Sequence, residues 1–337
     1  MSARTLTVAV TGPTGTFGFG LVPLLQDDER IGRIVGIARR PFEPAEHGWT
    51  KMAYRQGDVR DAAALERAFE GADVVVHLAF LVVSNASAET THAINVEGTL
   101  NAFRAAAAAG AQRFVYASSV AAYGFHRDNP LGMTEEWPTR PAARLNYARE
   151  KAQLEEMLAA EATANPQLDL YILRPPVVLG PHTLGAKELL PGPLGPIARR
   201  LPRLRSSPYR VPVFVPALPM QFVHEDDVGQ ALLRCCVGDG PPGAYNIAGD
   251  GVVTAADIAR EVGMVPLPLP TGLAQAAAQA ASRLPSLPFA PPVAGWAEAA
   301  SHPSIIDTTK AKRLLGWRPR YSSIEALRAT LRDGLAP

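Results

Sequence analysis

Predicted strands alternate with amphipathic segments through the first half of the chain. The strands cover residues 6–10, 34–38, 54–58, 74–79, 113–117 and 168–173. Helical periodicity follows several of them, at residues 21–25, 62–69, 90–109 and 144–162. This alternation predicts an α/β fold with a doubly wound parallel sheet of the Rossmann type, whose ligands bind at the carboxyl ends of the strands.

A glycine-rich turn, Thr11-Gly12-Pro13-Thr14-Gly15-Thr16-Phe17-Gly18, joins the first strand to the first helix. Its three glycines allow a sharp turn, a close approach of a pyrophosphate to backbone amides, and tight packing of the helix on the strand. The spacing G-x-x-G-x-x-G differs from the dinucleotide fingerprint G-x-G-x-x-G. Its position directly after the first strand nevertheless favours a dinucleotide site.

The composition changes after residue 175. Residues 181–219 are rich in proline and glycine, which predicts a loop-rich segment, whereas residues 222–228 are predicted to open a helix and 244–247 to add a strand to the sheet. We expect a dinucleotide-binding domain at 1–175, with 223–248 returning to it. Residues 176–222 and 249–337 would form a smaller, C-terminal α/β substrate-binding cap.

Five arginines lie in the predicted loop-rich segment. They could hold an anionic substrate such as a nucleotide diphosphate, or they could form a solvated basic loop, and the sequence leaves both alternatives open. They are Arg199, Arg200, Arg203, Arg205 and Arg210.

Charge and cysteine content exclude several classes of protein. Because 33 basic and 32 acidic residues leave a net charge of +1, we expect no nucleic acid and no membrane partner, and the expected ligand is a small-molecule substrate. Cys235 and Cys236 are adjacent, so they predict neither a structural disulfide nor a metal site, and they fit a reducing cytoplasm. Residues 1–10 are too short for a signal peptide, and no apolar run approaches the roughly 18 residues of a membrane span. A soluble, cytoplasmic protein is expected.

Tyr147 and Lys151 are the first candidates for chemistry. Four residues apart in a predicted helix, they share one face, although two surface side chains can show the same spacing by chance. A tyrosine ionises near pH ~10, so a phenolate near neutrality must be stabilised by roughly 4 kcal/mol, part of which a nearby ammonium can supply. The fifth strand ends in Ser118-Ser119, which adds a hydroxyl at the ligand edge or, alternatively, a capping serine.

Arg39 and Arg40 bear on the choice of dinucleotide. They follow the second predicted strand, where an NAD-selective fold presents an acidic residue to the ribose hydroxyls. A basic residue there favours the 2′-phosphate of NADP, although two arginines after a strand are about as often a solvated turn. The sequence favours NADP and leaves NAD possible.

The ordered set of motifs resembles the extended short-chain dehydrogenase/reductase family, also described as the NAD-dependent epimerase/dehydratase family. The resemblance covers nearly the whole chain, and this family uses the glycine spacing found here. It is carried by TGPTGTFG (11–18), Asp58-Val59, His77-Leu78-Ala79, Asn95-Val96-Glu97-Gly98-Thr99, the segment 119–124, YAREK (147–151), Arg174-Pro175, FVHEDDV (222–228) and LGWRPRY (315–321).

The resemblance implies roles for individual residues. Tyr147 would exchange a proton with a substrate hydroxyl or carbonyl, Lys151 would lower the pKa of Tyr147 and bind the nicotinamide ribose, and Ser119 would bind the same substrate oxygen. His77 is expected to be a core histidine, or to precede main chain that touches the cofactor. With the two arginines, the implied cofactor-binding set is Gly12, Thr14, Gly15, Thr16, Phe17, Gly18, Arg39, Arg40, Asp58, Val59, Leu78, Ala79, Asn95, Ala117, Tyr147, Lys151, Arg174 and Pro175.

The same resemblance narrows the reaction. Sugar-nucleotide dehydratases of the family usually carry Asp-Glu directly after the serine or threonine, where this chain has Val120 and Ala121, so dehydration is disfavoured. An NAD(P)-dependent oxidoreductase acting on a carbinol or carbonyl carbon is the leading hypothesis. The alternative is an NAD-dependent sugar-nucleotide epimerase with a transient ketone. A non-catalytic dinucleotide sensor is less expected because the three candidate catalytic residues are all present, and a homodimer through the long helices is expected from the family.

Overall fold

A parallel sheet of seven strands forms the centre of the part of the chain that the structure describes. The computed structural model describes residues 4–82, 86–143, 145–183, 210–270, 272 and 302–333. Labels count the strands along the chain, and those of this sheet are β1 (Leu6–Thr11), β2 (Ile31–Ala38), β3 (Met52–Gln56), β4 (Val74–His77), β5 (Arg113–Ala117), β6 (Asp169–Arg174) and β11 (Gly243–Asn246).

The order of the strands creates a crevice between β1 and β4. Across the sheet the order is β3-β2-β1-β4-β5-β6-β11, and every neighbouring pair is parallel. The chain therefore winds in one direction from β1 to β3 and in the other from β4 to β11. Ligands of doubly wound sheets bind at this switch point, outside the carboxyl ends of the strands. The predicted fold class is confirmed.

Helices cover both faces of the sheet. The helices of the described residues are α1 (Thr16–Asp27), α2 (Ala62–Phe69), α3 (Ala88–His92), α4 (Gly98–Ala108), α5 (Asn146–Ala164), α6 (Glu225–Val237), α7 (Ala255–Glu261), α8 (Thr309–Leu314) and α9 (Ser323–Asp333). Because the central strand β1 is buried on both sides, its alternate residues belong to different cores: Val8 and Val10 pack toward α1 and α6, whereas Ala9 packs toward α2, α4 and α5.

The helix predicted at 90–109 is longer and less regular than expected. It begins at Ala88, where Ser87 accepts a hydrogen bond from the Thr90 amide, and one π-helical turn over Ala93–Glu97 joins α3 to α4. Such a turn accommodates an extra residue within the helix. Here the hydroxyl of Thr99 bonds to the carbonyl of Asn95, and the Asn95 side chain is fully buried.

Residues 222–228 do not form one helical segment. Phe222–His224 is strand β10, which pairs with β7 (Val177–Leu179), and α6 begins only at Glu225. The His224 ring accepts a hydrogen bond from the Asp226 amide and so caps α6. Phe222 and Val223 favour an extended backbone, so the strand continues up to His224. The acidic residues of the first helical turn did not by themselves show where the helix begins.

The region outside the main sheet contains short strands that the sequence did not predict. β8 (Pro212–Pro216) pairs with β13 (Val265–Leu269), and β9 (Pro219–Met220) pairs with β12 (Val253–Thr254). The prediction of an α/β cap did not locate these strands, because proline-rich stretches are typical of loops and edge strands alike. Arg210 is described and exposed. The division of the chain into a dinucleotide-binding domain and a cap stays a prediction, and four of the five arginines lie outside the described residues: Arg199, Arg200, Arg203 and Arg205.

The two cysteines lie next to each other on α6 as buried free thiols. Burial raises the pKa of Cys236 to about 12, so this thiol is protonated near neutral pH. Of the helices that the structure describes, none is both long and apolar enough to cross a membrane.

A glycine contact joins α1 to α6, and it provides a test of the packing. A Cβ on Gly229 would lie 2.0 Å from the Gly20 carbonyl oxygen. In an exposed helix, glycine-to-alanine exchange stabilises by up to about 1 kcal/mol. We expect Gly229→Ala to destabilise the protein instead, by about 1–3 kcal/mol, because the backbones of α1 and α6 would have to move apart. Urea unfolding measures this, and an unchanged or higher unfolding free energy would contradict the close crossing.

Candidate active site

The glycine turn lies at the switch point and contacts the loop after β4. Gly12 has a φ of +69°, and a Cβ there would lie 2.9 Å from the Ala79 amide nitrogen, so the position requires glycine. A Cβ on Gly18 would lie 2.0 Å from the Pro13 carbonyl oxygen. Helix α1 follows Gly15 with no side-chain cap and no acidic side chain in its first turn. Its positive end therefore fits a pyrophosphate.

The other predicted residues of the turn, Thr14, Thr16 and Phe17, are half-buried. The Thr16 hydroxyl donates a hydrogen bond to the carbonyl of His182 at 2.8 Å. This bond ties the start of α1 to the segment that follows β7.

Arg39 and Arg40 follow β2 and are exposed, as the NADP hypothesis requires. Asp58 lies after β3, where the Arg60 guanidinium, 2.7 Å away, holds the pKa of the Asp58 carboxyl below its ordinary value, and the charge of Arg39 acts in the same direction. Val59 is buried and packs beside the start of α4. These four residues occupy the β2–β3 side of the crevice.

His77 is a buried structural histidine. Because the Thr99 hydroxyl donates to the Asn95 carbonyl, its oxygen accepts from His77 Nε2 at 3.0 Å. His77 Nδ1 then accepts from the Thr11 hydroxyl at 2.9 Å, whose oxygen accepts the amides of Leu78–Ala79. Burial lowers the pKa of His77 to about 3, so the ring is neutral. The chain of bonds fixes the predicted main chain of residues 78 and 79 beside Gly12.

Asn95 connects the loop after β4 to α5. Its side chain exchanges two hydrogen bonds with the backbone of Leu81, at 2.8 and 3.0 Å, and donates to Glu150 at 2.8 Å. These bonds use its amide for positioning within the protein. A contact of Asn95 with a cofactor stays a prediction.

Lys151 is buried at the carboxyl end of β5. Its ammonium donates to the Ala117 carbonyl at 2.7 Å and to the Tyr116 hydroxyl at 3.2 Å, and it lies 3.5 Å from the centre of the Phe80 ring. Burial lowers the pKa of Lys151 to about 7, although neighbouring carboxylates oppose this shift. Near neutral pH, small changes in its surroundings therefore change the fraction of Lys151 that is protonated.

Tyr147 lies one helical turn before Lys151, with its ring edge-on to Phe80 at 5.7 Å between ring centres. Burial raises the pKa of Tyr147, while a hydrogen bond with Ser119 lowers it. The Ser119 oxygen also accepts the Ala121 amide at 3.2 Å. The three candidate catalytic residues are thus brought together. The pKa of Tyr147 is therefore raised overall, whereas Lys151 was expected to lower it. Removal of the phenol from water outweighs the favourable contacts.

Two further predicted residues lie at the end of β6. The Pro175 carbonyl accepts the Val120 amide at 3.0 Å and so holds the turn that follows Ser119. The Arg174 guanidinium is buried and bonds to Glu155 and to the Tyr123 hydroxyl. Its side chain is engaged inside the protein, and a contact of Arg174 with a cofactor stays a prediction.

The sequence did not single out Phe80, Tyr116 or Glu155, which also belong to this site. Glu155 follows Lys151 by four residues, the spacing that already related Lys151 to Tyr147, so helical periodicity could have found it. Tyr116 and Phe80 lie in apolar stretches, where nothing in the local pattern separates a site residue from the core.

A doubly wound seven-stranded sheet with a glycine turn at its switch point is the fold of the short-chain dehydrogenase/reductase class. The chain belongs to the NAD-dependent epimerase/dehydratase family, whose sequence profile matches residues 8–248. The protein is accordingly an enzyme, an NAD(P)-dependent oxidoreductase or epimerase.

Known proteins of both kinds are similar to this chain. A ceramide reductase of Caulobacter vibrioides is 31% identical over 234 residues, which cover 68% of this chain and 60% of that protein. The UDP-glucose 4-epimerase of Thermotoga maritima, solved with UDP-glucose, has a TM-score of 0.73 at 21% identity and covers 97% of this chain and 98% of its own. WbmG of Bordetella bronchiseptica, solved with NAD, has a TM-score of 0.71 at 20% identity and covers 99% and 96%.

The buried ammonium predicts a pH-dependent stability. The pKa of Lys151 is about 7 in the folded protein and ~10.4 in the unfolded chain. Below about pH 7 the folded protein bears the whole free-energy cost of burying the ammonium. Between the two pKa values this cost disappears as the pH rises, because the folded protein has already lost the proton. Relative to Lys151→Met, the wild-type unfolding free energy should rise across this pH range by on the order of a few kcal/mol.

Urea unfolding of both proteins at several pH values measures this difference. Lys51→Met, which removes a partly exposed lysine, is the control for the loss of one positive charge. A difference between wild type and Lys151→Met that stays constant with pH would contradict the burial of a titrating ammonium.

Proposed function

We propose that the protein is an NADP-linked reductase that transfers a hydride between nicotinamide and a carbonyl or carbinol carbon, with Tyr147 as the acid/base. The observation that carries this proposal is the Ser119–Tyr147 hydrogen bond beside the buried Lys151. Val120 and Ala121, both buried, follow Ser119 and supply no carboxylate for dehydration. The 31% identity to a ceramide reductase supports the same reaction class.

The geometry suits proton donation during reduction. A nicotinamide dinucleotide, when bound, supplies the hydride. Tyr147, whose pKa is raised by burial, is protonated near neutral pH and can donate to a substrate oxygen. The Ser119 hydroxyl can donate to the same oxygen, and the Lys151 ammonium stabilises the negative charge that Tyr147 acquires.

The residues after β2 support NADP over NAD. Arg39 and Arg40 are exposed at the edge of the crevice, and they replace the acidic side chain that binds ribose hydroxyls in NAD-selective folds. Two guanidinium groups can bind a 2′-phosphate through charge-assisted hydrogen bonds. WbmG, a structural neighbour, was solved with NAD, so NADP preference rests on these arginines alone.

A homodimer through α4 and α5 belongs to this proposal. The groove between the two helices is largely apolar and is lined by Leu100, Met157, Ala160, Glu161 and Ala164. The same pair of helices from a second copy of the chain could pack there.

Tyr147→Phe tests the acid/base assignment. Loss of the hydroxyl should lower kcat/KM for NADPH-dependent carbonyl reduction by about two to four orders of magnitude, with NADPH affinity retained. Tyr171→Phe is the matched control, because the Tyr171 hydroxyl bonds to the Gly240 carbonyl at 2.9 Å, away from the site. Full activity of Tyr147→Phe would contradict the assignment.

The coenzyme preference is measured by calorimetry with NADP and NAD. Arg39→Gln combined with Arg40→Gln should weaken NADP binding about tenfold or more and change NAD binding little, because only NADP carries the 2′-phosphate. Arg33→Gln, at an exposed arginine near the other end of β2, controls for general loss of positive charge. Equal affinity of the wild type for the two coenzymes would contradict the preference.

Epimerisation is the second candidate function. The family and the fold of the UDP-glucose 4-epimerase support it. The same three residues could take the proton of a substrate hydroxyl while a bound NAD would accept the hydride from the same carbon, which gives a transient ketone and NADH. An epimerase keeps its NAD through the cycle, whereas a reductase releases its coenzyme. Purified protein that retains a stoichiometric dinucleotide through gel filtration, and that shows no turnover with NADPH and carbonyl compounds, would favour the epimerase and contradict the reductase.

A further inference from the structure

One face of α5 presents three functional groups in successive turns. Tyr147, Lys151 and Glu155 are spaced by four residues, so a phenol, an ammonium and a carboxylate lie in a row. The row faces the carboxyl end of β5 and the residues after it. The proton chemistry uses the first two groups and leaves the carboxylate unexplained.

Each group has its own partner on the facing segment. Ser119 bonds to Tyr147, the Ala117 carbonyl accepts from Lys151, and the Ser118 hydroxyl donates to Glu155. Three consecutive residues of one short segment thus contact three consecutive turns of one helix. A shift of α5 along its axis would break all three contacts together.

The Glu155 contact is an ion pair inside the protein. Glu155 is 6% exposed and Arg174 is 7% exposed. Arg174 Nε lies 3.1 Å from each carboxylate oxygen, and its Nη2 also bonds to Glu155. Arg174 Nη1 donates to the Tyr123 hydroxyl at 2.7 Å. Both oxygens of the Glu155 carboxylate are therefore bonded within the protein.

Stability alone does not explain such a pair. The desolvation of two charges offsets most of their attraction, and apolar residues of similar volume are often equally stable or better. A carboxylate at this position does, however, act on the ammonium one turn away. Inside the protein, screening by water and salt is weak, so the interaction is stronger than between surface charges.

We propose that Glu155, held by Arg174 and Ser118, is a positioning residue that keeps the Lys151 ammonium charged beside Tyr147. The inference rests on the proposed function of Lys151. It adds the Glu155–Arg174 ion pair to the three candidate catalytic residues of the site.

The other groups around Lys151 are uncharged, so only carboxylates on α5 can keep its ammonium charged. From β4, His77 is neutral, since burial lowers its pKa to about 3. From β5, Tyr116 is also neutral, because burial raises its pKa well above the ordinary value. The Phe80 ring carries no charge, and neither does the phenol of Tyr147 near neutral pH. The acidic groups acting on Lys151 are those of Glu150, which is half-buried and bonds to Asn95, and Glu155.

The test is the titration of Lys151 itself. The chain has five lysines, so isotope-labelled lysine gives few NMR signals, and the Lys151 signal is the one missing from Lys151→Met. Glu155→Gln should move the Lys151 titration to lower pH by about one unit or more, because an opposite charge is removed. This measurement needs no turnover, so it separates a failure of this inference from a failure of the proposed function.

Activity gives a second measurement. Lys151 loses its proton at lower pH than Tyr147 does, so the alkaline fall of kcat/KM in carbonyl reduction reports Lys151. Glu155→Gln should shift that fall to lower pH by a similar amount. Glu156→Gln, which removes an exposed carboxylate from the same helix, is the matched control and should shift neither curve.

Glu155→Gln leaves Arg174 buried without its partner, which can prevent folding. The double variant Glu155→Gln with Arg174→Gln removes both charges and carries the test in that case, and Glu155→Asp, which retains the charge, should give a smaller shift in the same direction. A shift in Glu155→Gln, or in the double variant where Glu155→Gln does not fold, supports the proposal. A Lys151 titration that coincides with the wild type in that variant overturns it, whereas Glu155→Asp reports only whether the retained charge keeps the titration close to the wild type.

Discussion

A buried ammonium group is the constraint on which the candidate site depends. Taking a charge out of water is costly unless neighbouring groups compensate it. Lys151 is 3% exposed, and its compensation comes from the carbonyl of Ala117, the hydroxyl of Tyr116 and the face of the Phe80 ring. Ala117 is the last residue of β5, so its carbonyl faces the helix at the edge of the sheet. The end of β5 must therefore lie beside Lys151 for the buried charge to be compensated.

The central part of the fold could be predicted from the sequence because local signals agree with the tertiary structure there. Buried parallel strands appear as short apolar runs, and the glycine turn follows the first of them. Tyr147, Lys151 and Ser119 could be related because helix periodicity and strand ends place them by simple rules. The structure adds that His77, at the end of β4, bonds to Thr11 and Thr99 and so holds the backbone beside Gly12.

What the sequence could not provide depends on contacts between distant segments. Glu155 and Arg174 belong to a helix and a strand whose patterns are those of any amphipathic helix and buried strand, and only their packing makes them a pair. The strands β8 and β13 are hidden in proline-rich stretches, since each needs the other for its hydrogen bonds. A charged residue in a buried strand, such as Arg174, is the one local sign that a partner must exist.

The close crossing of α1 and α6 also constrains how the chain acquires its structure. α1 follows the glycine turn near the amino terminus, yet Gly20 packs on Gly229, some two hundred residues later in the sequence. Contacts so distant in sequence form slowly, because a long loop must close before they stabilise anything. During synthesis α1 therefore leaves the ribosome well before the helix that packs on it. The contact between Gly20 and Gly229 can form only after α6 has been made.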